Sequence, residues 1–361
     1  MQNDRYIFPS RKEIIKQKKA EGKLIAAVYP VHYPRELLKA FGIHPIEVWG
    51  PANFDITKSR VHLQSYVCSI MHSALSLTLS HHFDDVDLII VPHCCDTLQG
   101  IGSILKDFIN LQKPVFTFYI PRGRRKSDVE FLASEIKRLF ALLVKITHLK
   151  PNMDDLIKSI ENEEKIERLI LKAYKKHIQL NSNASLFYKI IRGREFLPDD
   201  IFIENLKNFL SESNKKSDLK RVVLSGLVPE PAGIFDLINS VGGNVVDDDF
   251  ACLKRRLYLE GKSTDPFVRM AQRIINGPPD SLKGNTFEER FEFLKNMAKN
   301  SNSDGVIFYH IKFCEPERFY YPILRDKLKS EGIKTLSVEV DINENLSEQI
   351  KTRIAAFIEE L

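Results

Sequence analysis

Five cysteines, Cys68, Cys94, Cys95, Cys252 and Cys314, are the side chains of this sequence best suited to hold something soft. Two apolar runs lead into them. Asp87-Leu88-Ile89-Ile90-Val91-Pro92-His93 runs into Cys94-Cys95, and Gly305-Val306-Ile307-Phe308-Tyr309-His310-Ile311 is followed by Lys312-Phe313-Cys314. A short continuous apolar run bounded by polar residues and proline reads as a parallel strand buried on both faces. Ligands of open α/β sheets gather at the carboxyl ends of such strands. Two thiol-bearing ends, far apart in sequence, could therefore face each other across a cleft. There is no Cys-x-x-Cys and no His-x-x-x-His spacing, which argues against a zinc finger or ribbon. An odd number of cysteines also argues against a complete disulfide framework. Taken singly, each thiol reads as a small buried hydrophobe; only their convergence would make a site.

The elements that would position them alternate along the chain. Strands are expected at Leu24–Val28, Ile43–Trp49, Val86–Val91 and Pro114–Ile120. Helices are expected at Pro34–Phe41, His62–Ser80, Gly100–Leu111 and Ser127–Val144, the second carrying Cys68 in its first turns. Asn152–Leu210 shows helical periodicity with many Lys and Glu and no strand, and it ends in the polar run Ser211–Ser217. The alternation then resumes. Strands are expected at Arg221–Gly226, Asn244–Val246, Gly305–Ile311 and Thr335–Val340, and helices at Ala232–Val241, Pro266–Ile275, Thr286–Lys299, Pro316–Glu331 and Ser347–Leu361. The fold class is therefore α/β. We expect two Rossmann-like or flavodoxin-like parallel-sheet domains, 1–150 and 218–361, joined by a helical segment, 151–217, with a cleft between them. Hydrophobic residues at 43% and charged residues at 28% fit a globular chain of this length. A net charge of +5 is too mild to argue for nucleic acid, and no apolar run is long enough for a membrane helix. The charged N-terminal stretch lacks an apolar signal core, so a cytoplasmic location is expected.

In order and spacing, several short motifs together resemble one family. They are Pro34-Arg35-Glu36-Leu37 with Ala40–Gly42, Gln64-Ser65-Tyr66-Val67-Cys68, Cys95-Asp96, Asp247-Asp248-Asp249 with Cys252, Asp304–Ile307 with Phe313-Cys314, and Thr352–Glu359. The chain is similar over nearly its whole length to subunits of 2-hydroxyacyl-CoA dehydratases and ATP-dependent benzoyl-CoA reductases. The resemblance implies a [4Fe-4S] cluster held by Cys68, Cys95 and Cys314, with one iron left open. It implies a low-potential electron delivered to a coenzyme A thioester, returned in a dehydratase and retained in a reductase. The electron would come from a separate ATP-dependent iron-sulfur activator; this chain has no Gly-x-x-x-x-Gly-Lys-Ser/Thr loop. A related second subunit is implied, as a heterodimer or homodimer. Two other readings stay open: a double-cubane reductase of a small substrate, which would need more thiolates than five cysteines supply, and an assembly protein that carries a cluster without turning over a thioester.

Other residues acquire candidate roles beside that cluster. His32, Glu36 and Glu47, with Tyr33 and Arg35, fall near strand ends and could move a proton. Arg35 and Glu36 could equally just begin a helix. His93 could donate to a cluster sulfur, although a structural histidine is the simpler reading. Cys94 adjoins Cys95 and points to the opposite face of an extended chain, so it reads as a packed thiol. Cys252 reads as another. Arg122, Arg124 and Arg125 form a basic loop before a helix that could grip coenzyme A phosphates, or simply be solvated. Asp247-Asp248-Asp249 could bind a cation, but reads better as a helix cap, since Asp is a strong N-cap residue.

Overall fold

A computed structural model describes residues 5–109, 111–212, 218–258 and 260–361. The polar run at 213–217, where the sequence places a domain boundary, lies outside them. The N-terminal part comprises α1 (Arg11–Ala20), β1 (Ile25–Val28), α2 (Arg35–Ala40), β2 (His44–Glu47), α3 (Thr57–Arg60), α4 (Ser69–Leu79), β3 (Leu88–His93), α5 (Asp96–Ser103), β4 (Val115–Tyr119) and α6 (Lys126–Thr147). Three helices follow: α7 (Met153–Leu180), α8 (Ala184–Arg192) and α9 (Asp199–Ser211). The C-terminal part contains β5 (Lys220–Gly226), α10 (Gly233–Ser240), β6 (Gly243–Phe250), α11 (Pro266–Asn276), α12 (Phe287–Asn300), β7 (Gly305–Ile311), α13 (Glu315–Ser330), β8 (Lys334–Val340) and α14 (Glu348–Glu360).

Each part forms a four-stranded parallel sheet, and the two have the same order: β2-β1-β3-β4 and β6-β5-β7-β8. This is the doubly wound arrangement expected from the alternating pattern. The apolar runs explain the central strands. Ile25–Val28, Leu88–Val91 and Val222–Leu224 are buried throughout, as strands covered on both faces must be. The order reverses between β1 and β3 and between β5 and β7, and each reversal leaves a crevice beyond the strand ends. β3 and β7, the strands that lead toward Cys95 and Cys314, occupy equivalent places beside those reversals.

The C-terminal sequence does not stay with its own sheet. After β6 the chain crosses back, and α11 lies on α6 and α7. Phe267 meets Phe140 edge to face at 5.4 Å, and Phe140 meets Phe41 at 5.2 Å. Arg273, fully buried, contacts Glu36, Glu164 and Glu167. One continuous apolar core consequently spans both sheets.

Two expectations are corrected. The helix expected over His62–Ser80 does not run through Cys68; α4 begins at Ser69, and the chain before it is a loop. His72 explains this: Nε2 bonds the Gln64 carbonyl (3.1 Å) and Nδ1 bonds Ser59 (3.0 Å), pinning the loop to the helix face. Asp247–Asp249 is no cap. It lies within β6, wholly buried, because each carboxylate finds a partner: Lys254, Tyr174, and Arg255 with Arg290. Among the described residues no helix is long and apolar enough to cross a membrane.

Candidate functional site: a cavity lined by three cysteines

A cavity of about 730 Å³ opens at the carboxyl ends of both sheets. Residues that follow β1, β3, β5 and β7 all reach it: Val31, Cys95, Leu227 and Cys314. Cys68 completes the set. Its size is that of a small-molecule site, and its walls are mostly apolar, with Trp49, Met71 and Leu98 among them.

The three thiols share one local design. Cys68, Cys95 and Cys314 each stand immediately before a helix, at the N-caps of α4, α5 and α13. Three helix N-termini, each with positive dipole end and unpaired N–H groups, thus point into one cavity. The sulfurs make no close capping hydrogen bond. Even so, the N–H groups of Met71, of Leu98 and Thr97, and of Glu317 favour the respective thiolates. Burial acts against them and dominates. It pushes the Cys68 thiol up to about 12 and that of Cys314 well above its ordinary value, with mutual repulsion among the three adding to the shift. Helix ends that favour anions thus offset part of the cost of ionising two buried thiols and one half-buried thiol, Cys95.

Backbone geometry serves the same placement. Phe313, just before Cys314, has φ 63°, a left-handed conformation that a bulky residue rarely takes. It turns the chain sharply between β7 and α13, and its ring, with Lys312 over one face, forms part of the cavity wall. Among the described residues no group of three or more His, Cys, Asp or Glu is gathered tightly enough for a single metal ion. A cubane makes a different demand, since each thiolate binds a different iron. Three separated thiols around an open volume fit that demand.

Arg122 lines the cavity and favours the anionic form of Cys95. Its stem lies on Gly284, where an added Cβ would come within 2.8 Å of it. Arg124 donates to the Gly277 carbonyl (2.9 Å) and pairs with Glu289; Arg125 pairs with Asp128. Of the three basic-loop arginines, Arg122 alone has no ion-pair or hydrogen-bond partner among the described residues.

The other candidates lie apart from the thiols. His93 and Cys94 line a separate groove with Tyr119 and Phe131. Cys252 is buried elsewhere, behind Arg256. Glu47 is fully buried; burial alone would raise it, but Arg256 and Arg35 hold it below the usual carboxylate range. It also accepts from Trp49 Nε1 (2.9 Å), which fixes the indole in the cavity wall. Glu36 meets Arg273 (3.3 Å). His32 uses both ring nitrogens, toward Tyr258 (2.8 Å) and Asp280 (3.0 Å). These three acid-base candidates are engaged in buried contacts and none lines the cavity. Sequence reading missed Trp49, in the cavity wall, and Asp280, Arg255 and Glu317, buried behind it.

The model of the 2-hydroxyglutaryl-CoA dehydratase D-component family matches residues 30–361. The chain belongs to this family. It is 29% identical to the lactoyl-CoA dehydratase subunit beta of Anaerotignum propionicum, over 95% of this chain and 93% of that one. It is 26% identical to the (R)-phenyllactyl-CoA dehydratase beta subunit of Clostridium sporogenes, over 97% and 95%. It is also 24% identical to a benzoyl-CoA reductase subunit of Thauera aromatica, over 93% and 90%. As a member of this D-component family, the chain is an enzyme subunit of the lyase or oxidoreductase class.

Proposed function

We propose that this chain is the β-type subunit of an acyl-CoA-transforming enzyme, holding a [4Fe-4S] cluster through Cys68, Cys95 and Cys314. The observation that carries this reading is their convergence, each before a helix, on one cavity. When bound, such a cluster supplies a low-potential one-electron centre whose fourth iron is free for a further ligand. The chain's own residues supply the rest. Three helix ends stabilise the added negative charge. Trp49, Met71 and Leu98 give the cavity an apolar wall beside the thiols, and Arg122 offers a free guanidinium to an anionic group of a coenzyme A thioester. His93, on the far side of the strand end, acts at most through Cys94 and Cys95. His32, Glu36 and Glu47 hold the parts of the cavity wall together rather than moving a proton. A related second subunit and an ATP-dependent iron-sulfur activator complete the system, in keeping with relatives that are themselves named as subunits.

Anaerobic purification followed by iron and sulfide analysis tests this directly. Wild type is expected to carry iron and sulfide in equal amounts and to show a paramagnetic signal on reduction; Cys95→Ala is expected to lose both. Iron-free wild-type protein indistinguishable from Cys95→Ala would end the reading. Addition of an activator, ATP and a panel of 2-hydroxyacyl-CoA and aromatic acyl-CoA esters then separates dehydratase from reductase.

A further inference from the structure

Behind the cavity lies a set of charges that takes no part in binding as described so far. Arg255 is fully buried. Its Nε and Nη2 hold Asp249 at 2.9 and 3.0 Å, and its Nη1 and Nη2 hold Glu317 at 2.6 and 3.0 Å. Nη1 also reaches Asp280 at 3.4 Å. Glu317 is the third residue after Cys314, and it receives a further bond from Ser281. Asp280 accepts from Leu282 N (2.9 Å) and meets His32 Nε2 on its other oxygen. His32 belongs to the segment after β1, next to Val31 in the cavity wall. A continuous buried path thus runs from the N-terminal sheet, through His32, Asp280, Arg255 and Glu317, to the first turn of α13.

Buried ion pairs are a poor source of stability, because desolvation offsets most of the attraction; well-packed apolar residues do as well. What a bidentate guanidinium adds is geometry, since its planar fork fixes each carboxylate in distance and angle. We propose that Arg255 is a positioning residue for the thiol cavity: it clamps the first turn of α13, and so Cys314, against the N-terminal part of the chain, where Cys68 and Cys95 stand before α4 and α5. The inference rests on the proposed function only in taking these three thiols to work together. Asp249, held also by Arg290, anchors the guanidinium to β6, and the clamp acts from that fixed point.

Site-resolved alkylation of the full-length, iron-free protein tests the clamp. Each cysteine is followed by mass spectrometry at one pH in wild type, Arg255→Lys, which keeps the charge but loses the fork, and Glu317→Asp, which keeps the charge but shortens the reach to Arg255. Leu206→Ala, in the core of α9, serves as a control of lowered global stability. Both clamp variants are expected to label Cys314 about tenfold faster, as a loss of about 1.4 kcal/mol in local closure would give, while Cys68 and Cys95 stay near wild-type rates. After anaerobic reconstitution, the reduced Arg255→Lys protein is expected to show a broadened paramagnetic signal that returning Arg255 restores. The proposal is overturned if Cys314 is unchanged, if all three thiols accelerate together as in Leu206→Ala, or if neither clamp variant folds. Absence of iron from reconstituted wild type would instead sink the cluster reading, and the labelling pattern would still decide the clamp.

Discussion

Cys68, Cys95 and Cys314 show how one residue type is made different by its backbone setting. A buried thiol far from any N–H is inert; these three are held where helices offer their positive ends. Cys252 is the internal comparison, fully buried and outside the cavity. Cys68→Ala is therefore expected to abolish iron uptake, whereas Cys252→Ala keeps full iron and loses only about 1–2 kcal/mol of stability for its small cavity. Iron per chain and urea midpoints check both. Glu47 poses the reverse problem, a carboxylate engaged by Arg35, Arg256, Tyr33 and Trp49. Glu47→Gln leaves the buried Arg35 guanidinium and the partly buried one of Arg256 facing a neutral amide. The expected loss is about 3–5 kcal/mol, the usual result of removing one partner from a buried ion pair. Because the amide can no longer accept from the indole as strongly, Trp49 emission is expected to shift as well.

Elements place those residues, and their tolerances can be tested in turn. Gly50 follows β2 and lies against α4; an added Cβ would meet Ser73 Cβ at 2.4 Å and the Ala74 N at 2.6 Å. Backbone cannot yield as a side-chain tip can. Gly50→Ala is expected to push α4 and its N-terminal Cys68 outward, at a cost of about 1–3 kcal/mol, measurable by urea titration and by faster Cys68 alkylation. The short turn Ser281–Lys283 gives a pH effect of definite sign. Burial drives the Lys283 ammonium down to about 7 although Asp280 opposes the shift. Between that value and its ordinary 10.5 the unfolded chain binds a proton that the folded chain does not, so this residue makes stability rise with pH across the window. Subtracting a Lys283→Met titration from wild type should isolate that rising slope, and a flat difference would refute it. Much of this level was legible beforehand. Apolar runs marked the central strands, and the strand-to-cysteine junctions marked two of the three thiols. The start of α4 was not legible, because the apolar pattern continues through the loop that His72 ties to the helix face. Nor was the burial of Asp249, Asp280 and Glu317: the arginine that pairs them is 25 residues from Asp280 and 62 from Glu317. Local spacing carries no signal across such distances.

At the scale of the whole molecule the two sheets are alike in order yet do not behave as separable halves. Two similar α/β units joined by a linker would suggest independent unfolding, since interfaces between domains are commonly modest and polar. Here α11 leaves its own sheet to pack on α6 and α7, and buried pairs cross between the parts at Glu47–Arg256, His32–Asp280 and Glu36–Arg273. Breaking one sheet would leave each of those charges buried without its partner, and would expose the apolar faces of α6 and α11 as well. That penalty couples the halves and predicts a single cooperative transition. The sequence supplies a convenient reporter, because Trp49 is its only tryptophan and stands in the N-terminal part. Urea unfolding followed by Trp49 fluorescence is expected to coincide with unfolding followed by far-ultraviolet circular dichroism, which weighs the helices of the whole chain. Two separated midpoints would mean that the crossing helix and the buried pairs do not bind the sheets into one unit. A variant that loosens only the crossing, Phe267→Ala, is expected to cost about 3–5 kcal/mol of stability, lowering the common midpoint, and to keep the two traces together if the remaining pairs suffice. If the traces part in that variant, the apolar docking of α11 is the coupling element and the charges alone are not.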